Sequence, residues 1–163
     1  MKVVRTRIFS ILCENEPGVM MRITRVFMRR QINLDSITVG IEPTGLARII
    51  LMFRSDDFMA EFLRKALLRL VQIIDVETID PETSIVREVA LIKTHRLGEQ
   101  EIPEVLHQID KIGGRVLEFR DNSLVAEVYG DHERIQKFID ALGPKYIKEA
   151  ARSGQVIVSR KME

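Results

Sequence analysis

The residues with the clearest chemical potential lie in one short turn, Glu14-Asn15-Glu16-Pro17-Gly18, which joins an apolar run to an amphipathic one. Pro17 suits the first helical position, because its fixed φ is already helical and its missing N–H would be unpaired there. Gly18 has no side chain, so the N–H groups of Gly18, Val19 and Met20 would face open space at the positive end of a helix dipole. This pattern predicts a place for a small anion such as a carboxylate, with an ordinary helix start as the alternative.

Two asparagines could add amide groups to such a site. Asn15 lies in the turn itself, and Asn33 follows the helix that the turn begins. Each has an ordinary structural alternative, which is an Asx turn for Asn15 and a turn or helix-capping role for Asn33. Glu14 and Glu16 would repel a bound carboxylate if they pointed inward, so we expect both to face solvent or the ammonium group of a ligand.

The elements that must position this turn follow from apolar periodicity. The first half is predicted to contain a strand at Arg5–Cys13, a helix from Val19, strands at Asn33–Ile41 and Leu46–Phe53, a helix capped by Asp56 or Asp57, and a strand at Gln72–Ile79. This βαββαβ order is that of a ferredoxin-like fold. Strict alternation in the second strand would place Leu34, Ser36, Thr38 and Gly40 on one side and Asp35, Ile37, Val39 and Ile41 on the other.

The same order recurs in the second half. The predicted elements are a strand at Ile85–Lys93, a helix at Glu101–Lys111, strands at Gly114–Phe119 and Leu124–Tyr129, a helix at Asp131–Leu142 and a return to the sheet from Tyr146 to Val158. We expect Gly143-Pro144 to end the last helix and Arg152-Ser153-Gly154 to interrupt the last strand. Residues 80–84 are typical of a linker. We therefore predict an α+β protein of two ferredoxin-like βαββαβ sandwiches, at residues 1–80 and 85–163.

Composition narrows the classes of function. Lys and Arg total 25 against 24 for Asp and Glu, a net charge of +1, so no overall field favours nucleic acid or an acidic membrane. The absence of a signal peptide or membrane span in the sequence predicts a cytoplasmic protein with no membrane association.

Cys13 lies in an apolar run, where a buried thiol is expected rather than a nucleophile. His95, His107 and His132 lack metal-ligand spacing, so no metal site is predicted.

The size of the modules favours dimerisation. A module of about eighty residues buries little more than 60% of its unfolded surface, which leaves it marginal alone. A four-stranded sheet also has two open edges, and here they carry few prolines or inward charges. We therefore expect the first modules of two chains to pair side by side. The turn at Pro17-Gly18 of one chain would then approach Asn33 of the other.

Several segments resemble the regulatory small subunit of acetolactate synthase, also called acetohydroxyacid synthase. Leu12–Ile23 and Asn33–Val39 resemble its ACT domain, Val86–Lys93 resembles the strand that opens its second domain, and Ala151–Gly154 resembles a short motif near its end. The resemblance implies a non-catalytic subunit of branched-chain amino acid biosynthesis that activates a separate catalytic large subunit. It also implies feedback inhibition by a branched-chain amino acid, usually valine, bound between paired ACT domains. Thiamine diphosphate, Mg and FAD would belong to the catalytic partner, with no cofactor on this chain.

The resemblance also implies a ligand site. The family's ligand contacts fall on Asn15 and Gly18 of one chain and Asn33 of the other. We expect backbone N–H groups to hold the ligand carboxylate, asparagine oxygens and backbone carbonyls to hold its ammonium, and Val19 and Ile32 to contact its side chain. The predicted site is Asn15, Glu16, Pro17, Gly18, Val19, Met20, Ile32 and Asn33.

Two departures from the family pattern fall beside this site. Gln31-Ile32 replaces a frequent Gly-Tyr, so the end of the first helix is expected to differ in shape. Met20-Met21 replaces a common Leu-Ser, which would change the apolar wall of the pocket.

Three other functions are compatible with the element order. Another amino-acid-sensing ACT regulator is the nearest. An acylphosphatase-like enzyme needs an arginine in its first loop, whereas Arg22 is predicted to lie inside the helix. An RNA-recognition module needs exposed aromatic residues on its central strands, and Phe9 and Phe53 suit the core instead.

Overall fold

The apolar pattern of the first half produces the predicted βαββαβ order in a computed structural model that describes residues 3–160, so the predicted limits at residues 1 and 163 lie outside it. The elements are β1 (Arg5–Cys13), α1 (Val19–Met28), β2 (Leu34–Ile41), β3 (Ala47–Ser55), α2 (Asp57–Leu67) and β4 (Ile73–Thr78). The strands form an antiparallel sheet in the order β2-β3-β1-β4. Asp56 caps α2 through a bond from the Met59 N–H to its carboxylate at 2.7 Å, as one of the two predicted caps.

The core of this unit joins the sheet to its two helices. Phe53 lies at its centre and contacts Phe9 and Phe27 edge to face, with ring centroids 4.8 and 5.1 Å apart. Ile11, Ile23 and Leu63 are also fully buried there. Burial of these side chains fixes the position of α1, and therefore of the turn that precedes it.

The second strand departs from strict alternation. A bulge between Leu34 and Ser36 places Leu34 opposite Phe53, on the helix side of the sheet, and Ser36 opposite Met52 on the other side. Leu34 therefore lies on the same side as Ile37, and the predicted grouping of Leu34 with Ser36 was wrong. The extra residue changes the phase of the side chains, which a fixed period of two cannot anticipate.

The second half forms a separate sheet of the same order. Its elements are β5 (Ser84–Thr94), α3 (Glu101–Lys111), β6 (Arg115–Arg120), β7 (Ser123–Gly130), α4 (His132–Tyr146), β8 (Ile147–Arg152) and β9 (Val156–Ser159). The strand order is β6-β7-β5-β8, and β9 also pairs with β5. The α+β class with two antiparallel sheets is confirmed.

Two compact units result, and their limits differ from the predicted domains at the C-terminal end. The first unit contains the chain up to Ile85 and the segment that begins at Ile157, and the second contains Val86–Val156. Ile157 packs with Ile8, Ile50 and Met52 on the side of the first sheet away from its helices. Residues 157–159 of β9 therefore belong to the first unit, although they follow the second unit in sequence.

The last helix contains the predicted glycine break. Gly143 has φ 64° and ψ 180°, which interrupts the helical backbone, and one further turn follows before β8 begins at Ile147. The irregular segment between β8 and β9 matches the predicted interruption of the last strand.

Candidate binding site at the start of the first helix

The turn before α1 has the geometry of a type II turn. The Val19 N–H donates to the Glu16 carbonyl at 3.4 Å, and Gly18 has φ 89° and ψ −10°. A type II turn favours proline at its second position and requires positive φ at its third, which explains the Pro17-Gly18 pair. The helix therefore begins at Val19, and the prediction that Pro17 occupies the first helical position was wrong.

Three backbone donors at this corner have no acceptor. The N–H groups of Gly18, Met20 and Met21 make no hydrogen bond within residues 3–160, and no side chain caps the helix. The first turn of α1 carries no acidic residue, and nothing lies within 4 Å of the position that a Gly18 Cβ would occupy. The predicted set is thus corrected from Gly18, Val19 and Met20, because the turn itself uses the Val19 N–H. The corner still offers several donors at the positive end of a helix.

The two asparagine side chains are exposed and uncommitted. Neither Asn15 nor Asn33 makes a side-chain hydrogen bond to any residue that the structure describes, so Asn15 forms no Asx turn. The end of α1 is closed by the Gln31 N–H, which donates to the Met28 carbonyl at 3.0 Å, and by the Ile32 N–H, which donates to the Phe27 carbonyl at 3.2 Å. This is a Schellman motif that does not involve Asn33.

The predicted site residues fall into two groups at opposite ends of α1. Residues 15–18 and Met20 lie at its start, whereas Ile32 and Asn33 lie just past its end. A helix of ten residues is about 15 Å long, so Gly18 and Asn33 of one chain are too far apart to hold one small molecule. The structure does not bring the whole predicted site together within one chain.

Comparisons with known proteins place both units in one family. A family model described as the AHAS small subunit-like ACT domain matches residues 9–76, and one described as the small subunit of acetolactate synthase matches residues 87–161. A probable acetolactate synthase small subunit of Methanothermobacter thermautotrophicus is 36% identical over 95% of this chain and 93% of its own length. The corresponding protein of Archaeoglobus fulgidus is 35% identical over 93% of this chain and 94% of its own length.

The chain belongs to the acetolactate synthase small subunits. The crystal structure of the small subunit from Thermotoga maritima agrees with it at a TM-score of 0.85 and 34% identity, over 98% of this chain and 99% of that one. The predicted family is confirmed, and so is an ACT domain as the first unit. Membership implies a regulatory role in branched-chain amino acid synthesis and a catalytic large subunit as partner.

The apolar residues of the predicted pocket divide between core and surface in this small subunit. Val19 is 5% exposed and belongs to the core, so its side chain offers a ligand little surface, and its contact with a ligand stays a prediction. Met20 and Ile32 are half-buried and pack against the same core. Met21 is exposed beside the open corner. Met20, Met21 and Ile32 are therefore the side chains available to an apolar ligand.

A glutamine that the predicted site does not include holds the turn in place. The Glu14 N–H donates to the Gln72 carbonyl at 3.0 Å, and Arg22 Nη1 donates to Gln72 Oε1 at 3.2 Å. Gln72 thus ties the end of β1 to the second turn of α1. Glu14 and Glu16 are exposed, as expected. Arg22 lies within α1, away from the loop where an acylphosphatase-like arginine would be needed.

An uncovered apolar strip lies on β2, the outermost strand of the first sheet. Ile37, Val39 and Ile41 pair with the core-facing residues of β3, which places them on the helix side. They are nevertheless 43%, 53% and 68% exposed. Exposed apolar strips at open strand edges are typical of interaction surfaces.

The sequence patterns did not anticipate a buried polar network in the second unit. Glu88 is 3% exposed, bonds to Arg152, and has Oε2 at 3.4 Å from His132 Nδ1. Arg152 Nη1 also donates to Gln136 Oε1 at 2.7 Å. The network ties α4 and β8 to β5. The available signal was the inward position of Glu88 in the alternation of β5.

The part of the chain that the structure describes contains neither a cluster of metal ligands nor a membrane-spanning helix. Within residues 3–160, no group of three or more His, Cys, Asp and Glu side chains could hold a metal ion. No helix there is long and apolar enough to cross a membrane. Cys13 is buried as predicted, and burial, together with the charge of Glu14, raises the pKa of its thiol.

Proposed function

We propose that this chain binds a branched-chain amino acid, usually valine, between paired first units, and through it restrains a catalytic subunit that the chain otherwise activates. The catalytic subunit would carry thiamine diphosphate, Mg and FAD, while this chain would bind none of them. The observation that carries the proposal is that α1 separates two sets of polar groups that make no hydrogen bond within the described residues, so that one small ligand could reach both sets only across two chains. Backbone donors lie at its start and the Asn33 amide lies past its end.

The ligand's carboxylate matches the first of these groups. The N–H groups of Gly18, Met20 and Met21 supply donors at the positive end of α1, where a negative charge is stabilised. Charge-assisted bonds of this kind are shorter and stronger than neutral ones. The absence of an acidic side chain in the first turn leaves this charge to be supplied by the ligand.

A second copy of the chain would supply the other half of the binding site. If β2 of one chain pairs with β2 of another, the uncovered strip of Ile37, Val39 and Ile41 becomes buried at the seam. Asn33 immediately precedes β2, so the pairing would carry it toward the partner's α1. Its amide oxygen would then accept from the ligand's ammonium, and Ile32 and the methionines would contact the aliphatic side chain.

Regulation follows from a site shared by two chains. A ligand that contacts both can favour one arrangement of the pair only by binding that arrangement more tightly. Inhibition then requires that the favoured arrangement restrains the catalytic subunit, and the same coupling makes the catalytic subunit alter the affinity for valine.

A mixed dimer tests the shared site directly. Gly18→Asp and Asn33→Ala chains, coexpressed with different affinity tags, give a mixed dimer in which one site carries both changes and the other carries neither. We expect calorimetry to show valine binding in the mixed dimer, with one intact site, and strongly weakened binding in each single-variant homodimer. Equal weakness in all three would show that the two residues do not serve one site across the seam.

A further inference from the structure

A cavity lies on the side of the first sheet away from its helices. Its volume is about 550 Å³, within the range of small-molecule sites. Strand residues of the sheet line it, together with residues of the segment 79–84 and with Ile157 and Ser159 of β9. All of these residues belong to the first unit, so one unit contains the whole cavity.

Two side chains of opposite charge flank Ser10 in this cavity. Ser10 pairs with Ile50 of β3 and with Glu77 of β4, which places all three on the side away from the helices. Arg48 lies two residues before Ile50 on β3 and therefore on the same side, and its Nη1 donates to the Ser10 Oγ at 2.8 Å. A small molecule that lies over Ser10 can therefore contact both charges.

Both charged groups retain hydrogen-bonding capacity for a ligand. Arg48 donates from Nε to Glu42 and from Nη1 to Ser10, so two of its five N–H donors are in use and three have no acceptor among residues 3–160. Glu77 is exposed, and its carboxylate makes no hydrogen bond or ion pair within the same residues. Donors for a carboxylate and an acceptor for an ammonium group are thus both available.

A buried hydroxyl in the cavity is also without a partner. Ser84 is 7% exposed and lines the cavity, and its Oγ makes no hydrogen bond to any residue that the structure describes. Its carbonyl, by contrast, accepts from Arg160 Nε at 3.1 Å. Buried hydroxyl groups normally have a hydrogen-bond partner, and a polar ligand in the cavity would supply one.

We propose that this cavity binds a free amino acid with a neutral polar side chain. Charge selects the class of ligand, because a simple anion would meet the carboxylates of Glu77 and Asp80, and a simple cation would meet Arg48. A zwitterion satisfies both signs, with its carboxylate on the Arg48 guanidinium and its ammonium on Glu77. The Ser84 hydroxyl then bonds to the polar side chain of the ligand.

This site is separate from the one proposed for valine and does not depend on it. Gly18 lies at the start of α1 in the helix layer, whereas the cavity lies on the opposite side of the sheet, and the two sites share no residue. The linings also differ in character. Five residues with hydroxyl groups and only two isoleucines line the cavity, which favours a polar side chain over that of valine.

Calorimetry of the full chain tests the class of ligand. The probes are L-threonine and L-glutamine, which carry a short and a long neutral polar side chain. We expect at least one of them to bind, and the corresponding amide, which has no carboxylate, to bind more than about tenfold more weakly. No heat of binding from either amino acid at millimolar concentration, or equal affinity for amino acid and amide, would overturn the proposal.

Paired variants test the position of the site. Glu77→Gln removes the partner of the ammonium group and should weaken binding of the probe by about tenfold or more. Asp75→Asn is the matched control, because it removes the same charge from an exposed position of β4 outside the cavity lining. Ser84→Ala should also weaken binding, and it removes a hydroxyl that makes no bond to the rest of the described chain. Equal affinities of the Glu77→Gln and Asp75→Asn chains would overturn the proposal.

A Gly18→Asp chain separates this test from valine binding. It should bind the probe as the unmodified chain does, because Gly18 lies outside the cavity. Loss of probe binding in this chain would assign the probe to the corner at α1 and overturn the second site. Absence of valine binding in the unmodified chain would refute the proposed function and leave the result with the probe unaffected.

Discussion

The two units share one topology, but the first helix of each unit begins in a different way. In the first unit, Gly18 immediately precedes α1, and no side chain caps the helix. In the second, the Gly98 N–H before α3 donates to Glu101 Oε2 at 2.9 Å, and Lys145 Nζ lies 3.1 Å from the same carboxylate group. The second helix start thus contains a carboxylate from its own chain. The first lacks one and is suited to a carboxylate from outside.

The difference depends on a single residue type in the first helical turn. The first turn of α3 contains Glu101 and Glu104, whereas the first turn of α1 contains no acidic residue. Because the N–H groups at a helix start favour negative charge, each unit satisfies the same requirement from a different source. A helix start is therefore evidence for an anionic ligand only where the protein supplies no carboxylate of its own.

The largest expected effect comes from giving the first unit a carboxylate of its own. Gly18→Asp should weaken valine binding more than a hundredfold, about 3 kcal/mol or more, because the new carboxylate competes for all of the free donors and repels the ligand carboxylate. Gly18 has φ 89°, so any side chain there is strained by about 1–2 kcal/mol. Gly18→Ala carries that strain without the charge and is the matched control. Calorimetry that finds equal affinities for the two variants would exclude the corner from the site.

A smaller effect is expected at the other end of α1. Asn33→Ala removes one bond to a charged group, worth about 1.5–3 kcal/mol, and should relieve valine inhibition while activation persists. The measurement is acetolactate formation by the catalytic subunit with this chain added, with and without valine. Asp35→Ala, at an exposed position of β2, is the control and should leave inhibition intact. Loss of both activation and inhibition in Asn33→Ala would indicate a damaged dimer.

The element order was predictable because most elements show the apolar spacing of a helix or the β-former content of a strand. The helix at Glu101–Lys111 was predicted at the limits it has, since its apolar spacing and its neighbouring glycines agree. The bulge in β2 was not predictable from the sequence. The residue types of Leu34 and Ser36 fit a regular strand as well as they fit the bulged pairing that forms. The return of Ile157 to the first unit depends on contacts between distant parts of the chain, which local periodicity does not encode.

The candidate site was only partly predictable. Pro17 and Gly18 identified a special turn, but the same pair fits both a helix start and a type II turn. The hydrogen bond from Val19 to Glu16 decides between them, and it changes which donors are free. Neither Gln72 nor Glu101 carried a signal, because each acts through contacts that depend on the folded backbone.

The second unit offers a pH-dependent test of the filled helix start. The bond from Gly98 and then the Lys145 ammonium hold the pKa of Glu101 below its usual value. Because the pKa of Glu101 is lower in the folded chain than in the unfolded chain, its negative charge stabilises the fold. This stabilisation is complete above the pKa of Glu101 in the unfolded chain and is lost as pH falls through its pKa in the folded chain. Glu101→Gln should therefore lower the free energy of unfolding at neutral pH.

That destabilisation should shrink on acidification, as measured by urea denaturation between neutral pH and pH values below the ordinary glutamate pKa. Glu99→Gln is the control, since Glu99 is exposed and makes no hydrogen bond or ion pair with the described residues. A Glu101→Gln effect that stays constant with pH would show that the carboxylate's charge does not stabilise the helix start.

The smallest expected effect concerns Gln31, at the end of α1. Gln31 has φ 55°, a left-handed conformation that costs a non-glycine residue about 1–2 kcal/mol. Gln31→Gly removes this strain but adds freedom to the unfolded chain worth about 0.4–1 kcal/mol, so a net gain of about 0.5 kcal/mol is expected. Urea denaturation measures it, with Gln31→Ala as the variant that keeps the strain. Because the Schellman bonds to Met28 and Phe27 are made by the backbone, valine affinity should be unchanged, and a weakened affinity would mean that the Gln31 side chain itself contacts the ligand.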